Sequence, residues 1–143
     1  MIEAAVVDAC VAVKWVVEEP GSEEARLLFF ARLEAPDVML VECANILWKK
    51  AHLRELGERQ VIERWDTLIG SPVALIPSGE LLEAALRLSL EIDHPVYDCL
   101  YIALAIRSSV PLVTDDRQLF KAARRKKATA GHVVLLSEIE RSQ

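Results

Sequence analysis

The strongest constraint on the fold is an alternation along the chain. Short, almost purely apolar runs recur between longer segments of helical character. The runs cover residues 3–7, 38–41, 72–76, 111–114 and 133–136. Strands that are apolar on both faces belong to a parallel sheet covered on both sides, and each parallel connection needs a crossover long enough for a helix. The intervening segments predict helices over 11–17, 22–33, 42–55, 58–69, 78–91, 98–107 and 116–127. Ser22 and Ser78 are read as N-caps, and Glu23 and Glu24 stand in a first turn, where the helix dipole favours acids. Residues 35–37 (Ala-Pro-Asp) read as a turn, and Ser137-Glu138-Ile139-Glu140 as a capping box opening a last short helix. The segment 98–107 is apolar nearly all round, which places it in the middle of the fold. The expected architecture is therefore a three-layer α/β/α sandwich with a central parallel sheet, formed as one domain over 1–143.

The chain has 143 residues, 52% hydrophobic and 27% charged, enough to bury a core without a disulfide or metal staple. Cys10, Cys43 and Cys99 make an odd, sparse set with no C-x-x-C pair, which excludes a disulfide framework and a zinc ribbon. No run approaches the ~18 apolar residues of a membrane span, and the start lacks a basic n-region, so the cytoplasm is the expected compartment. The net charge of −5 is unpromising for a polyanion partner taken over the whole chain. Locally the balance reverses, with Arg117, Lys121, Arg124, Arg125, Lys126 and Lys127 clustered on one helical segment.

Open parallel sheets bind ligands at the carboxyl ends of their strands. Asp8 ends the first apolar run, Glu42 opens the helix after the second, and Asp116 opens the helix after the fourth. Asp98 starts the buried helix and joins them if that end faces the same crevice. Close carboxylates repel one another, and a hard divalent cation with oxygen ligands relieves that conflict. With no His or Cys at ligand spacing, Mg²⁺ or Mn²⁺ fits such a set better than zinc. Asp98 and Asp116 would also serve as helix caps and Glu42 as a first-turn acid. Asp37, expected at the amino end of its strand, and Asp66, mid-helix, read as solvated surface.

Four stretches together resemble a known family. Val7-Asp8-Ala9-Cys10-Val11 followed by Val13-Lys14-Trp15 is similar to the opening of PIN-domain ribonuclease toxins of the VapC type. Glu42-Cys43-Ala44-Asn45-Ile46-Leu47-Trp48-Lys49 resembles their second motif, an acid followed three residues later by Asn. The third is matched by 97–105, around Asp98, and the fourth by Leu112-Val113-Thr114-Asp115-Asp116, a Thr-x-Asp element. The resemblance spans nearly the whole chain. It implies an α/β/α fold, a Mg²⁺- or Mn²⁺-dependent endoribonuclease acting on RNA through Asp8, Glu42, Asp98 and Asp116, a homodimer, and a cognate antitoxin protein that blocks the site. The chain departs from the pattern in its acidic doublet: Asp115 occupies the variable position, as a bystander or as a replacement for Asp116.

Around these acids, Thr114 is placed to hydrogen-bond a ligand, Asn45 to orient Glu42, and Lys49 to meet a phosphate. Lys14 and the 117–127 cluster are candidates for an RNA path. On a helix the residue after an acid turns ~100° away from it, so Cys43 and Cys99 are expected in the core. His52, His94 and His132 show no ligand spacing. Three other classes compete. A phosphohydrolase of the haloacid-dehalogenase type wants a second Asp where Cys10 stands. A receiver domain wants an acidic pair at the first strand end and a Lys after the last strand. The non-enzyme reading is a PIN-like binding module without catalysis, against which all four acids are retained.

Overall fold

The structure is a computed structural model and describes residues 2–139. Five parallel strands form one sheet in the order β3-β2-β1-β4-β5. They are β1 (Ala4–Val7), β2 (Arg32–Pro36), β3 (Val73–Ile76), β4 (Leu112–Thr114) and β5 (Val133–Leu135). The helices are α1 (Ala9–Val13), α2 (Ser22–Leu27), α3 (Val38–His52), α4 (Glu58–Ile69), α5 (Leu82–Ile92), α6 (Val96–Ser108), α7 (Arg117–Ala123) and α8 (Lys127–Ala130). No helix among the described residues is long and apolar enough to cross a membrane.

The three-layer α/β/α expectation holds. β1, the central strand, is closed on one side by β2 (Ala5 opposite Leu33) and on the other by β4 (Val7 opposite Val113). Helix α6 packs across β1, β2 and β4 and against α5, while α1 touches β4 and carries α3. The all-round apolar reading of α6 is realised as a continuous buried run from Cys99 to Ala105. The order defines a switch point. From β1 the chain winds outward through β2 and β3, then returns to place β4 on the other flank of β1. The crevice at the carboxyl ends of β1 and β4 is where such sheets bind ligands.

The second strand departs from the sequence reading. It is Arg32–Pro36, and the apolar run 38–41 is instead the first turn of α3. The buried residues Met39, Cys43 and Leu47 fall at four-residue spacing, the signature of one helical face, whereas Val41 faces solvent. β2 holds its place through pairing with β1 and β3 although Arg32 and Glu34 interrupt its apolar character. The expected turn at 35–37 is thus the end of a strand, and the helix expected over 22–33 stops at Leu27, passing through a 3₁₀ turn (Leu28–Phe30) into β2.

Other boundaries shift for local reasons. Ser22 is the first residue of α2 and not its cap; its hydroxyl accepts from Glu19 N and donates to Val17 O, so it closes the preceding turn. Ser78 opens a 3₁₀ turn (Ser78–Glu80) ahead of α5. The helix expected over 116–127 breaks after Ala123, where the Thr129 hydroxyl takes up the Ala123 carbonyl, and α8 starts afresh. Near the end, Leu136–Glu138 forms a 3₁₀ turn, and Glu140 of the expected capping box lies outside the described residues.

Candidate active site

Asp8 leaves the end of β1 in extended backbone and caps α1, its Oδ1 accepting from Val11 N at 3.1 Å and from the Cys10 thiol at 2.9 Å. Its Oδ2 accepts from the Thr114 hydroxyl at the end of β4. The residue is only 6% exposed. Burial pushes its carboxyl up to about 6, with the nearby Asp98 charge adding to the rise and three hydrogen bonds opposing it.

Asp116 caps α7, with Oδ1 accepting from Gln118 N at 2.9 Å and Leu119 N at 3.2 Å. Its own N–H donates to Thr114 Oγ1 at 3.0 Å. Thr114, fully buried, is therefore a bridge between Asp8 and the Asp116 backbone and not a free ligand for substrate. The helix-cap reading and the site reading of Asp116 are compatible, since the cap uses one oxygen and the other has no partner among the described residues.

Glu42 stands one turn inside α3, as its fifth residue, and not at the helix opening. Its Oε1 accepts from the Tyr101 hydroxyl. Burial raises its carboxyl above the ordinary range, with the Tyr101 bond opposing and the Asp98 charge adding. Asp98 lies in the first turn of α6, and its Oδ2 meets His94 Nε2 at 2.6 Å. Glu42, Asp98 and Asp116 thus share one arrangement. One carboxylate oxygen is pinned by the protein, and the other is left without a partner among the described residues.

All four acids, with Asp115, line one open cleft of about 630 Å³, to which Tyr97 and Asn45 also contribute. A second cleft of about 530 Å³ between α3 and α4 is walled mainly by apolar residues such as Trp48, Val61 and Trp65 and contains none of the four. Among the described residues, no group of three or more His, Cys, Asp or Glu side chains is placed to hold a metal ion by itself. A hard cation bound by one or two carboxylates and several waters needs no such group, and the donors here are oxygens only. Mutually repelling, pinned carboxylates with free oxygens fit Mg²⁺ or Mn²⁺ on chemical grounds.

Two partners escaped the sequence reading. Tyr101 follows Asp98 by three residues on one face of α6, and His94 stands just before that helix, close enough for its ring to reach Asp98. Conversely, Asn45 is exposed and makes no hydrogen bond to Glu42; Tyr101 does that work. Lys49 is exposed and unpaired among the described residues. Lys14 is buried and internally bonded, so it does not line an RNA path. Arg125 leaves the basic cluster as well, because its guanidinium clamps the Ile92 and Asp93 carbonyls at the end of α5. Asp37 follows β2 at its carboxyl end; it is exposed as expected, held low by Ser78, and stands outside the cleft. Cys43 and Cys99 are fully buried, and burial raises all three thiols, which removes thiolate chemistry.

A five-stranded parallel sheet between helices, with an acid-lined cleft at its switch point, defines the class. The PIN domain model matches residues 5–126, and the chain belongs to the PIN domain family. It is 35% identical over 120 residues to Ribonuclease VapC3 of Pyrobaculum aerophilum, covering 80% of this chain and 90% of that protein. Its fold matches the crystal structure of PAE2754 from Pyrobaculum aerophilum, with TM-score 0.69 and 23% identity over 95% of this chain and 85% of that one. It also matches VapBC2 from Rickettsia felis, solved bound to a DNA fragment from their promoter, with TM-score 0.66 and 14% identity over 92% of this chain and 98% of that one.

Proposed function

We propose that this chain is a Mg²⁺- or Mn²⁺-dependent endoribonuclease and the toxin of a toxin–antitoxin pair, with Asp8, Glu42, Asp98 and Asp116 as its site. The observation that carries the reading is that four acids from four separate segments line one cleft at the switch point of the sheet. The similarity to Ribonuclease VapC3 supports RNA as the substrate, and the fold match to VapBC2 supports a protein antitoxin.

In this reading one or two of Glu42, Asp98 and Asp116 would bind the metal directly through unpinned oxygens and the rest would orient its waters, with buried Asp8 supplying negative charge behind them. The bound metal supplies Lewis-acid stabilisation of charge on the phosphodiester and acidifies a water. The protein's own part is orientation. Tyr101 fixes Glu42, His94 fixes Asp98, and the amino end of α7 fixes Asp116, so no acid has to be ordered during the reaction. The exposed Arg117, next to Asp116, starts a basic face that continues through Lys121 and Arg124 and suits a phosphate backbone. The partners that follow are RNA, an antitoxin and a second copy of the chain, in a single-domain protein of the cytoplasm.

The test incubates antitoxin-free protein with a structured RNA pool in Mg²⁺, Mn²⁺ or EDTA, beside Asp98→Asn. Cleavage that requires metal and disappears in the variant is the expected result. Cleavage that persists in EDTA or in Asp98→Asn rejects the assignment. A folded chain that neither cleaves RNA nor binds Mn²⁺ is an inert PIN-like module.

A further inference from the structure

The acidic doublet raises a question that the four-acid site does not answer: why a fifth carboxylate, Asp115, lines the cleft without being part of it. Lys14, at the end of α1, is 7% exposed, an unusual burial for a lysine. Its ammonium donates to the Pro20 carbonyl at 2.9 Å and pairs with Glu19 at 3.3 Å and with Asp115 at 3.3 Å. The stem is enclosed as tightly as the head. Gly21 lies at φ 96°, and a Cβ there would stand 3.2 Å from Lys14 Cδ and Cε. Glu19 also binds Lys50 of α3 at 3.1 Å, which in turn approaches Glu55 at 3.8 Å. A ladder of alternating charge therefore runs from the cleft rim at Asp115, through Lys14, Glu19 and Lys50, to the end of α3.

Asp115 and Asp116 are adjacent but held in opposite ways. Each has one oxygen held and one without a partner among the described residues, but Asp116 is held by the start of α7, whereas Asp115 is drawn to a buried cation on the α1–α2 side. We propose that Lys14 is a positioning residue of the cleft, which tethers Asp115 away from a bound divalent cation and so leaves Asp116 as the ligand of the doublet. This rests on the metal-site reading above and adds to it which acid is excluded and by what. The two carboxylates facing Lys14 outweigh its burial and keep it charged.

Mn²⁺ affinity measured by calorimetry on the full chain tests this, with no turnover needed. Asp115→Asn should leave the affinity within ~2-fold of the unmodified protein, whereas Asp98→Asn should lower it by about tenfold or more. Lys14→Met removes a cation beside the cleft and frees Asp115, and should tighten Mn²⁺ by roughly fivefold. Adding Asp115→Asn to Lys14→Met should abolish that gain. If Asp115→Asn weakens Mn²⁺ as much as Asp98→Asn does, Asp115 is a ligand and the inference is wrong. The single Asp115→Asn variant decides the matter even where Lys14→Met fails to fold. If the unmodified chain binds no Mn²⁺, or Asp98→Asn leaves binding unchanged, the metal-site reading fails and this inference fails with it. Loss confined to Asp115→Asn and Asp98→Asn together rejects the inference alone.

Discussion

Raising the pH through 6 without metal should destabilise the folded chain, because the fold strips water from the Asp8 carboxyl. The group sits near 3.8 in an unfolded chain and at about 6 here. Between these values the native state binds a proton that the unfolded state does not, so stability falls as pH rises. The full difference is ~3 kcal/mol, reached below pH 4, and ~1.4 kcal/mol of it appears between pH 8 and pH 5. For a chain of this size that is a fall in Tm of about 4–5 °C on going from pH 5 to pH 8. Glu42, also raised by burial, adds in the same direction. The clean comparison is Asp8→Asn, which keeps an acceptor for Val11 N and has nothing to ionise. Urea unfolding of both proteins at pH 5, 6, 7 and 8 in EDTA should show Asp8→Asn gaining on the unmodified chain by ~1.4 kcal/mol across the range. The constant offset absorbs the altered bond to Thr114, so only the slope is read. Parallel curves would refute the reasoning, since they would mean that the Asp8 carboxyl titrates alike in both states. Mg²⁺ should flatten the slope by favouring the ionised form.

Four further outcomes follow from the geometry. Tyr101→Phe unpins Glu42 and should lower metal-dependent RNA cleavage by about 10–100-fold, with a urea midpoint shifted by no more than ~1 kcal/mol. His94→Ala releases Asp98 and should raise the Mg²⁺ concentration for half-maximal cleavage by about tenfold; an unchanged Mg²⁺ titration would show that Asp98 needs no anchor. Leu104→Ala opens a cavity in the fully buried face of α6 and should cost ~2–5 kcal/mol in chemical denaturation. Arg125→Ala should cost ~1–3 kcal/mol, because the Ile92 and Asp93 carbonyls lose a charged donor, yet leave the salt dependence of RNA binding unchanged, whereas Arg117→Ala should reduce it.

The layers were legible because α6 and four of the five strands carry uninterrupted apolar patterns. β2 was not legible. An interior strand is recognised by its two neighbours, and Arg32, Glu34 and Pro36 conceal it from any reading of hydropathy alone. The more apolar stretch beside it drew the assignment, although Met39, Cys43 and Leu47 already carried a helical period. That Asp8 and Asp116 line the cleft was legible because Asp8 and the Asp115–Asp116 doublet follow apolar runs at strand ends. The supports of Glu42 and Asp98 were not, since Tyr101 reads as one more buried residue in an apolar helix and His94 as a residue in a break. Lys14 misled for the same reason. Its interior role depends on Glu19, Pro20 and Asp115, which only the folded chain brings around it.

The bond between Asp8 and Thr114 spans 106 positions of the chain. Until β4 inserts, β1 is an edge strand, and the Asp8 carboxylate lacks one of its three donors. Contacts of such long range close late, after most of the loop entropy has been spent. When the amino-terminal two thirds of the chain have been synthesised, β1, β2 and β3 are present, yet Asp116, and with it the far wall of the cleft, has not been made. Completion of the site therefore coincides with the insertion of β4 beside β1, and a chain terminated before Asp116 lacks the assembled cleft.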